Sequence, residues 1–281
     1  MITKEISTEK AFAKTNIDLG DYVLNPYKGC FHQCLYCYVK TNKFFSKHPD
    51  IWESTIYVKT DFAKKMQKEW PTLTPTPEKV LIGATTEVYM PQEKHYNLMQ
   101  PILNFLNEKK VSITILTKSN LVERDIDLLK QNPNPTIYLT INQTSQTLKN
   151  LLESHTTKLD DLWTTLKKLS QNKIKTILYI SPAFPFFTDL NTLITQGLEY
   201  TNYINIETFN PILLNLAKLK TALRDYDPEK FIRLEKIYNS EQEYKKFWNK
   251  TKKELEKKFS DKTPKLFINP YHSYFNNSYL G

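Results

Sequence analysis

Glycine is scarce in this chain, with five among 281 residues. Loops that cradle phosphate on backbone amides depend on glycine. Neither a G-x-G-x-x-G string nor a Walker A string occurs, which sets aside dinucleotide-binding and P-loop readings. Cysteine is scarcer still. Cys30, Cys34 and Cys37 are the only three, and they lie within eight residues. An odd, clustered set is a poor disulfide framework and reads better as a metal site in a reducing compartment. No apolar run reaches the ~18 residues that a membrane helix needs. The opening stretch MITKEISTEKAF lacks the apolar segment of a secretory signal. The expectation is a cytoplasmic protein with no membrane partner.

What is present is ordinary for a globular protein: 40% hydrophobic and 25% charged residues. The length suits one large domain, or one domain with an appendage. The formal charge is +9. A basic chain can attract nucleic acid or anionic cofactors, although lysines spread along a solvated surface give the same count.

Short β-rich runs alternate with helical spacing. A first strand is expected at Asp21 to Leu24. Clearer runs follow at Val80–Ala84, Val111–Leu116, Ile137–Ile141, Thr176–Ile180 and Tyr203–Ile206. Their length and β-branched content favour buried parallel strands. Between them, Tyr96, Met99, Ile102, Leu103 and Leu106 mark one helical face. Leu159, Leu162, Leu166 and Leu169 mark a second, and Leu190, Leu193, Ile194 and Leu198 a third. Six strand–helix units imply an α/β fold with a parallel sheet. Six fall short of the eight of a closed TIM barrel, so the expectation is an open, partial (β/α)6 barrel. Residues 1–20 read as an N-terminal extension and 21–225 as the barrel core. Residues 226–281 read as a charged helix followed by an irregular tail that packs on the core.

The cysteine segment reads Asn25-Pro-Tyr-Lys-Gly-Cys30-Phe-His-Gln-Cys34-Leu-Tyr-Cys37-Tyr38, with spacing C-x3-C-x2-C. Thiolates are the usual ligands of iron–sulfur clusters, which commonly take four. Three can hold three irons of a [4Fe–4S] cubane and leave the fourth open for chemistry, as catalytic zinc sites leave a position open. Gly29 permits a tight backbone just before the first ligand. Zinc on the three cysteines plus His32 is an alternative. However, His32 stands two residues from both Cys30 and Cys34, which is cramped for a tetrahedral site. Three inert buried thiols are a further alternative.

C-x3-C-x2-C with an aromatic residue before the last cysteine resembles the signature of radical S-adenosylmethionine (SAM) enzymes. The longer string NPYKGCFHQCLYCY is similar to the branch that contains spore photoproduct lyase. The match lies at Asn25, Pro26, Tyr27, Gly29, Cys30, His32, Cys34, Tyr36, Cys37 and Tyr38, and the similarity extends over roughly residues 20 to 210. The resemblance implies a partial barrel of the radical SAM kind and a [4Fe–4S] cluster on Cys30, Cys34 and Cys37. It also implies an electron donor such as flavodoxin or ferredoxin, and reductive cleavage of SAM to a 5′-deoxyadenosyl radical that abstracts a hydrogen atom.

It further implies where SAM is held. After the second strand, Gly83-Ala-Thr-Thr-Glu87-Val-Tyr-Met-Pro91 is similar to a G-T-x-T-D-x-Y-x-P string, which puts Thr85, Thr86 and Glu87 near the SAM amino group. The alternative for these residues is a loop leading into a helix with Glu93 in its first turn. Lys118, in the Thr117-Lys118 pair after the third strand, is expected near the SAM carboxylate. Thr140 and Asn142 resemble an S-I-N string after the fourth strand, where they would meet the ribose or methionine part. Strand-end asparagines also serve as plain turn formers. Tyr36 is expected by the adenine, as is the turn Ser181-Pro-Ala-Phe-Pro185. Two departures stand out. Leu162 occupies the region where members of the branch often carry an arginine. No fourth cysteine exists to return a hydrogen atom as in spore photoproduct lyase, or to hold a second cluster. His95 and His155 fall in helical segments and read as surface or core residues.

Three readings follow. The first is a radical SAM enzyme on nucleic acid, lyase-like in the manner of DNA repair. The second is a radical SAM enzyme on a peptide or small metabolite. The third is a non-enzymatic iron–sulfur or zinc protein, which would need neither Lys118 nor the Thr85–Glu87 group.

Overall fold

In the computed structural model, which describes residues 1–260 and 265–269, the β-branched runs become six strands. They are β1 (Tyr22–Leu24), β2 (Lys79–Ile82), β3 (Ser112–Thr117), β4 (Pro135–Thr140), β5 (Lys175–Ala183) and β6 (Tyr203–Thr208). Val80, Leu81, Ile82, Ile113, Ile115, Ile137 and Leu139 are buried without remainder. Covering on both faces is the condition under which continuous apolar strands pair in parallel. The helical faces also appear where the spacing predicts them, in Met99–Glu108, Leu159–Gln171 and Leu190–Gly197.

The chain forms two units. One comprises Met1–Gln33, Phe44–Leu139 and Asp160–Thr176; the other comprises Cys34–Lys43, Thr140–Leu159 and the chain from Ile177 onward. In the first, β1 to β4 pair in parallel in chain order, with Val23 opposite Leu81, Leu81 opposite Thr114, and Thr114 opposite Thr136. Ala13–Lys14 pairs antiparallel with β1. The same unit holds a separate small sheet. Its central strand Thr55–Lys59 is flanked by Ile2–Ile6 in parallel and by Tyr27–Lys28 in antiparallel. Part of the expected N-terminal extension is therefore a sheet strand. The pattern ITKEI hides it, because four of its five side chains are exposed.

In the second unit β6 pairs in parallel with β5. On its other side it pairs with Lys265–Asn269, from Tyr203 opposite Lys265 to Glu207 opposite Asn269. This corrects the expected irregular tail. Pro264 and Pro270 bracket the stretch and disfavour a strand reading, yet five residues fit between them at the end of a parallel ladder. The rest of that tail lies outside the described residues. The expected charged helical region resolves into Ala217–Tyr226, Pro228–Tyr238 and Glu241–Lys258. The Asp227 and Ser240 side chains accept from the backbone N–H groups of Lys230 and Glu243 and start the last two.

Candidate cluster and cofactor site

The stem of the cysteine loop belongs to the first unit. Tyr27–Lys28 runs as a strand, and Gly29 then turns at φ +86°. A Cβ at Gly29 would stand 2.6 Å from the Thr55 carbonyl oxygen, so only glycine passes here. The Thr86 hydroxyl donates to the Gly29 carbonyl at 2.6 Å. It thereby fixes the residue before Cys30, which is half-buried.

Next to Thr86, Glu87 is buried at the ends of β2 and β3. Its carboxylate accepts from the Tyr89 N–H at 2.9 Å, the Thr117 hydroxyl at 2.7 Å and the Lys118 N–H at 2.8 Å. The ring of His32, which is buried, places Nδ1 3.7 Å from Glu87 Oε2. Burial pushes the Glu87 carboxyl above the ordinary carboxylate range. The donors from Lys118, Tyr89 and Thr117, together with the Lys118 charge, oppose that shift. Thr85 is exposed, and its N–H donates to Asn25 Oδ1 at 3.3 Å. Lys118 is half-buried.

A second brace holds the same stem. The Tyr27 hydroxyl donates to Glu93 at 2.5 Å. Glu93 is fully buried and also accepts from Arg124 at 2.7 Å and from the N–H groups of Leu98 and Met99 at 3.0 Å each. Glu93 therefore does more than sit in a first turn. It anchors Tyr27 and caps the helix Met99–Glu108. The sequence signal for this was only an acid ahead of an apolar helical face.

The other two cysteines lie in the second unit. Cys34 is buried and Cys37 half-buried. The Cys37 N–H donates to the Cys34 carbonyl at 3.2 Å, and the Leu35 N–H to the Leu152 carbonyl at 2.9 Å. Tyr36, between them, is buried with its ring edge-on to Phe184 at 5.8 Å between centroids. Asn142 Nδ2 donates to the Tyr36 hydroxyl at 3.3 Å and reaches the Ser181 and Pro182 carbonyls at 3.2 and 3.4 Å. Three of the expected positions, Tyr36, Asn142 and the Ser181–Pro182 turn, thus meet directly. Thr140 is buried at the end of β4. Sequence reasoning passed over Glu207 on β6, which accepts from Ser181 at 2.7 Å and also from Tyr179. The acid inside the run YINIET is the only sequence trace of it.

Among the described residues no three His, Cys, Asp or Glu side chains converge as a single-ion site would require. Three thiolates are the usual kind of ligand for an iron–sulfur cluster with one iron left open, and His32 directs Nδ1 to Glu87. Among the described residues no helix is long and apolar enough to cross a membrane.

The radical SAM superfamily model matches residues 24–192. An uncharacterized protein of Methanocaldococcus jannaschii is 30% identical over 229 residues, covering 81% of this chain and 84% of that protein. In structure, a mutant spore photoproduct lyase with bound AdoMet and dinucleoside spore photoproduct superposes with a TM-score of 0.64 at 13% identity, over 95% of this chain and 81% of that one. Streptococcus suis SuiB bound to S-adenosylmethionine gives a TM-score of 0.54 at 14% identity, over 88% of this chain and 49% of that one. At these identities the structural likeness speaks for a shared fold: mixed α/β, with a mostly parallel sheet of the partial-barrel type.

Proposed function

Because the chain belongs to the radical SAM superfamily, whose enzymes use a [4Fe–4S] cluster and SAM, we propose that it cleaves SAM reductively and abstracts a hydrogen atom from a substrate. Cys30, Cys34 and Cys37 hold the cluster in this reading. When bound and reduced, cluster and SAM together supply the 5′-deoxyadenosyl radical. The chain's own residues bind, orient and exclude water.

The observation that carries the reading is the double brace on the stem of the cysteine loop. Thr86 fixes the Gly29 carbonyl at 2.6 Å, and Glu93 fixes the Tyr27 hydroxyl at 2.5 Å. A loop that must present thiolates in one fixed geometry needs such support from the residues behind it. Glu87 accepts the Lys118 N–H at 2.8 Å and so fixes the strand end that carries the Lys118 ammonium. Lys118 suits the SAM carboxylate, and Thr85, which is exposed, suits the amino end. The buried Tyr36–Asn142 pair suits the adenine and ribose side. Thr140 stands two residues from Asn142 and completes that group. The lyase-like outcome, the nucleic-acid substrate and a flavodoxin- or ferredoxin-type electron donor belong to the same proposal.

Anaerobically reconstituted protein is expected to bind about four irons and, given reductant, to convert SAM to 5′-deoxyadenosine. Cys34→Ala abolishes both. A filled cluster with no cleavage of SAM would overturn the reading.

A further inference from the structure

The small sheet of the first unit has two unlike faces. Ile56, Val58 and Tyr27 fill the inward face, each buried to 1% exposure or less. Strand alternation sends their neighbours outward. The register aligns Lys4 with Tyr57 and Tyr57 with Lys28, so one row across the three strands reads Lys4, Tyr57, Lys28. Ile6 and Lys59 form the adjoining row.

The Lys28 ammonium lies 3.1 Å from the centroid of the Phe44 ring and 5.8 Å from that of Tyr57. Among the described residues neither Lys28 nor Lys59 forms an ion pair. Lys59 Nζ donates to the Asn25 carbonyl at 2.9 Å. Glu9 is the acidic residue whose charge acts on both Lys28 and Lys59. Tyr57 and Phe44 are half-buried and Lys4 is exposed.

We propose that this outer face, with Tyr57 between Lys4 and Lys28, is a binding platform for single-stranded nucleic acid. The face has the two components such platforms combine: cations for the backbone and an aromatic ring on which an unpaired base stacks. A duplex keeps its bases inside and would use the lysines alone. The inference goes beyond SAM cleavage and stands on the sheet face, so binding is testable in protein that carries out no chemistry.

The test is fluorescence anisotropy with the full chain and a labelled 20-nucleotide oligothymidine, titrated at several salt concentrations, with a mixed-sequence duplex beside it. The expected result is salt-sensitive binding of the single strand. Its slope of log affinity against log salt is roughly −1.4, from about 0.7 for each of two lysine–phosphate contacts, at Lys4 and Lys28. Tyr57→Ala weakens binding about tenfold or more, whereas Tyr57→Phe retains it. Lys4→Gln reduces the slope by about 0.7. Circular dichroism of each variant confirms folding. Absence of salt-sensitive binding would overturn the proposal. So would a duplex preference, or oligothymidine binding indifferent to Tyr57→Ala in a folded variant.

Discussion

Glu87 shows how a residue chosen for one role can have another written into its contacts. The string around it suggested a partner for the SAM amine. Its two oxygens are already engaged by Tyr89, Thr117 and Lys118. Glu87→Ala strands three donors at a buried site and should destabilise the fold by roughly 3 kcal/mol or more, at about 1–3 kcal/mol each; urea unfolding measures it. The pH dependence follows from the raised folded-state carboxyl. Folded Glu87 keeps its proton to higher pH than the unfolded chain does. The unfolded state therefore binds fewer protons from the ordinary carboxylate range (about pH 4.3) upward, until the folded group ionises. Over that window Glu87's contribution to stability falls as pH rises. It is fully present below the unfolded value. Glu87→Gln removes this component of the slope, visible as a flatter series of urea midpoints from about pH 4 to 7. The residue identities were legible in the sequence, but their partners were not. Nothing in a string tells Thr86 to seek the Gly29 carbonyl 57 positions away.

At the scale of elements, the barrel strands were the most legible part. Val80–Ile82 and Thr176–Leu178 are buried residue after residue because they are covered on both sides, and such strands announce themselves. The outer sheet was not legible for the opposite reason. Ile2–Ile6 is mostly exposed and has no apolar rhythm, and Tyr27–Lys28 is two residues long inside a motif rich in Pro and Gly. These strands exist through pairing with Thr55–Lys59, a tertiary fact. The central strand also sets the tolerance of the loop beside it. Gly29→Ala drives a methyl group against the Thr55 carbonyl and asks alanine for φ +86°. It should cost on the order of 1–3 kcal/mol in thermal or urea unfolding, with lower iron retention after reconstitution. Iron retention equal to that of the parent protein would mean that the stem does not position the cysteines.

At the scale of the whole molecule, the charge of +9 did not by itself distinguish a solvated surface from a binding face. The register of three strands places Lys4, Lys28 and Tyr57 in one row, and the proposed platform rests on that row and not on the net charge. Cofactor binding also has a whole-molecule readout. A ligand that binds only the folded state stabilises it by mass action, by about 2.7 kcal/mol at a hundredfold excess over Kd. Cluster-loaded protein should gain this with SAM in an anaerobic thermal scan. Cys34→Ala, which in the proposed reading cannot hold the iron that SAM would chelate, should gain little. Equal gains in both would separate SAM binding from the cluster.

The brace on Tyr27 also has a consequence in time. Tyr27 bonds to Glu93, 66 positions later, and Glu93 is held by Arg124, 31 positions later again. During synthesis at about 5–20 residues per second, the three thiols leave the ribosome roughly 5–20 s before the last member of that brace leaves it. The nascent chain therefore displays its cysteines unpinned, open to oxidation and to the delivery of iron, before the fold can lock the loop that bears them.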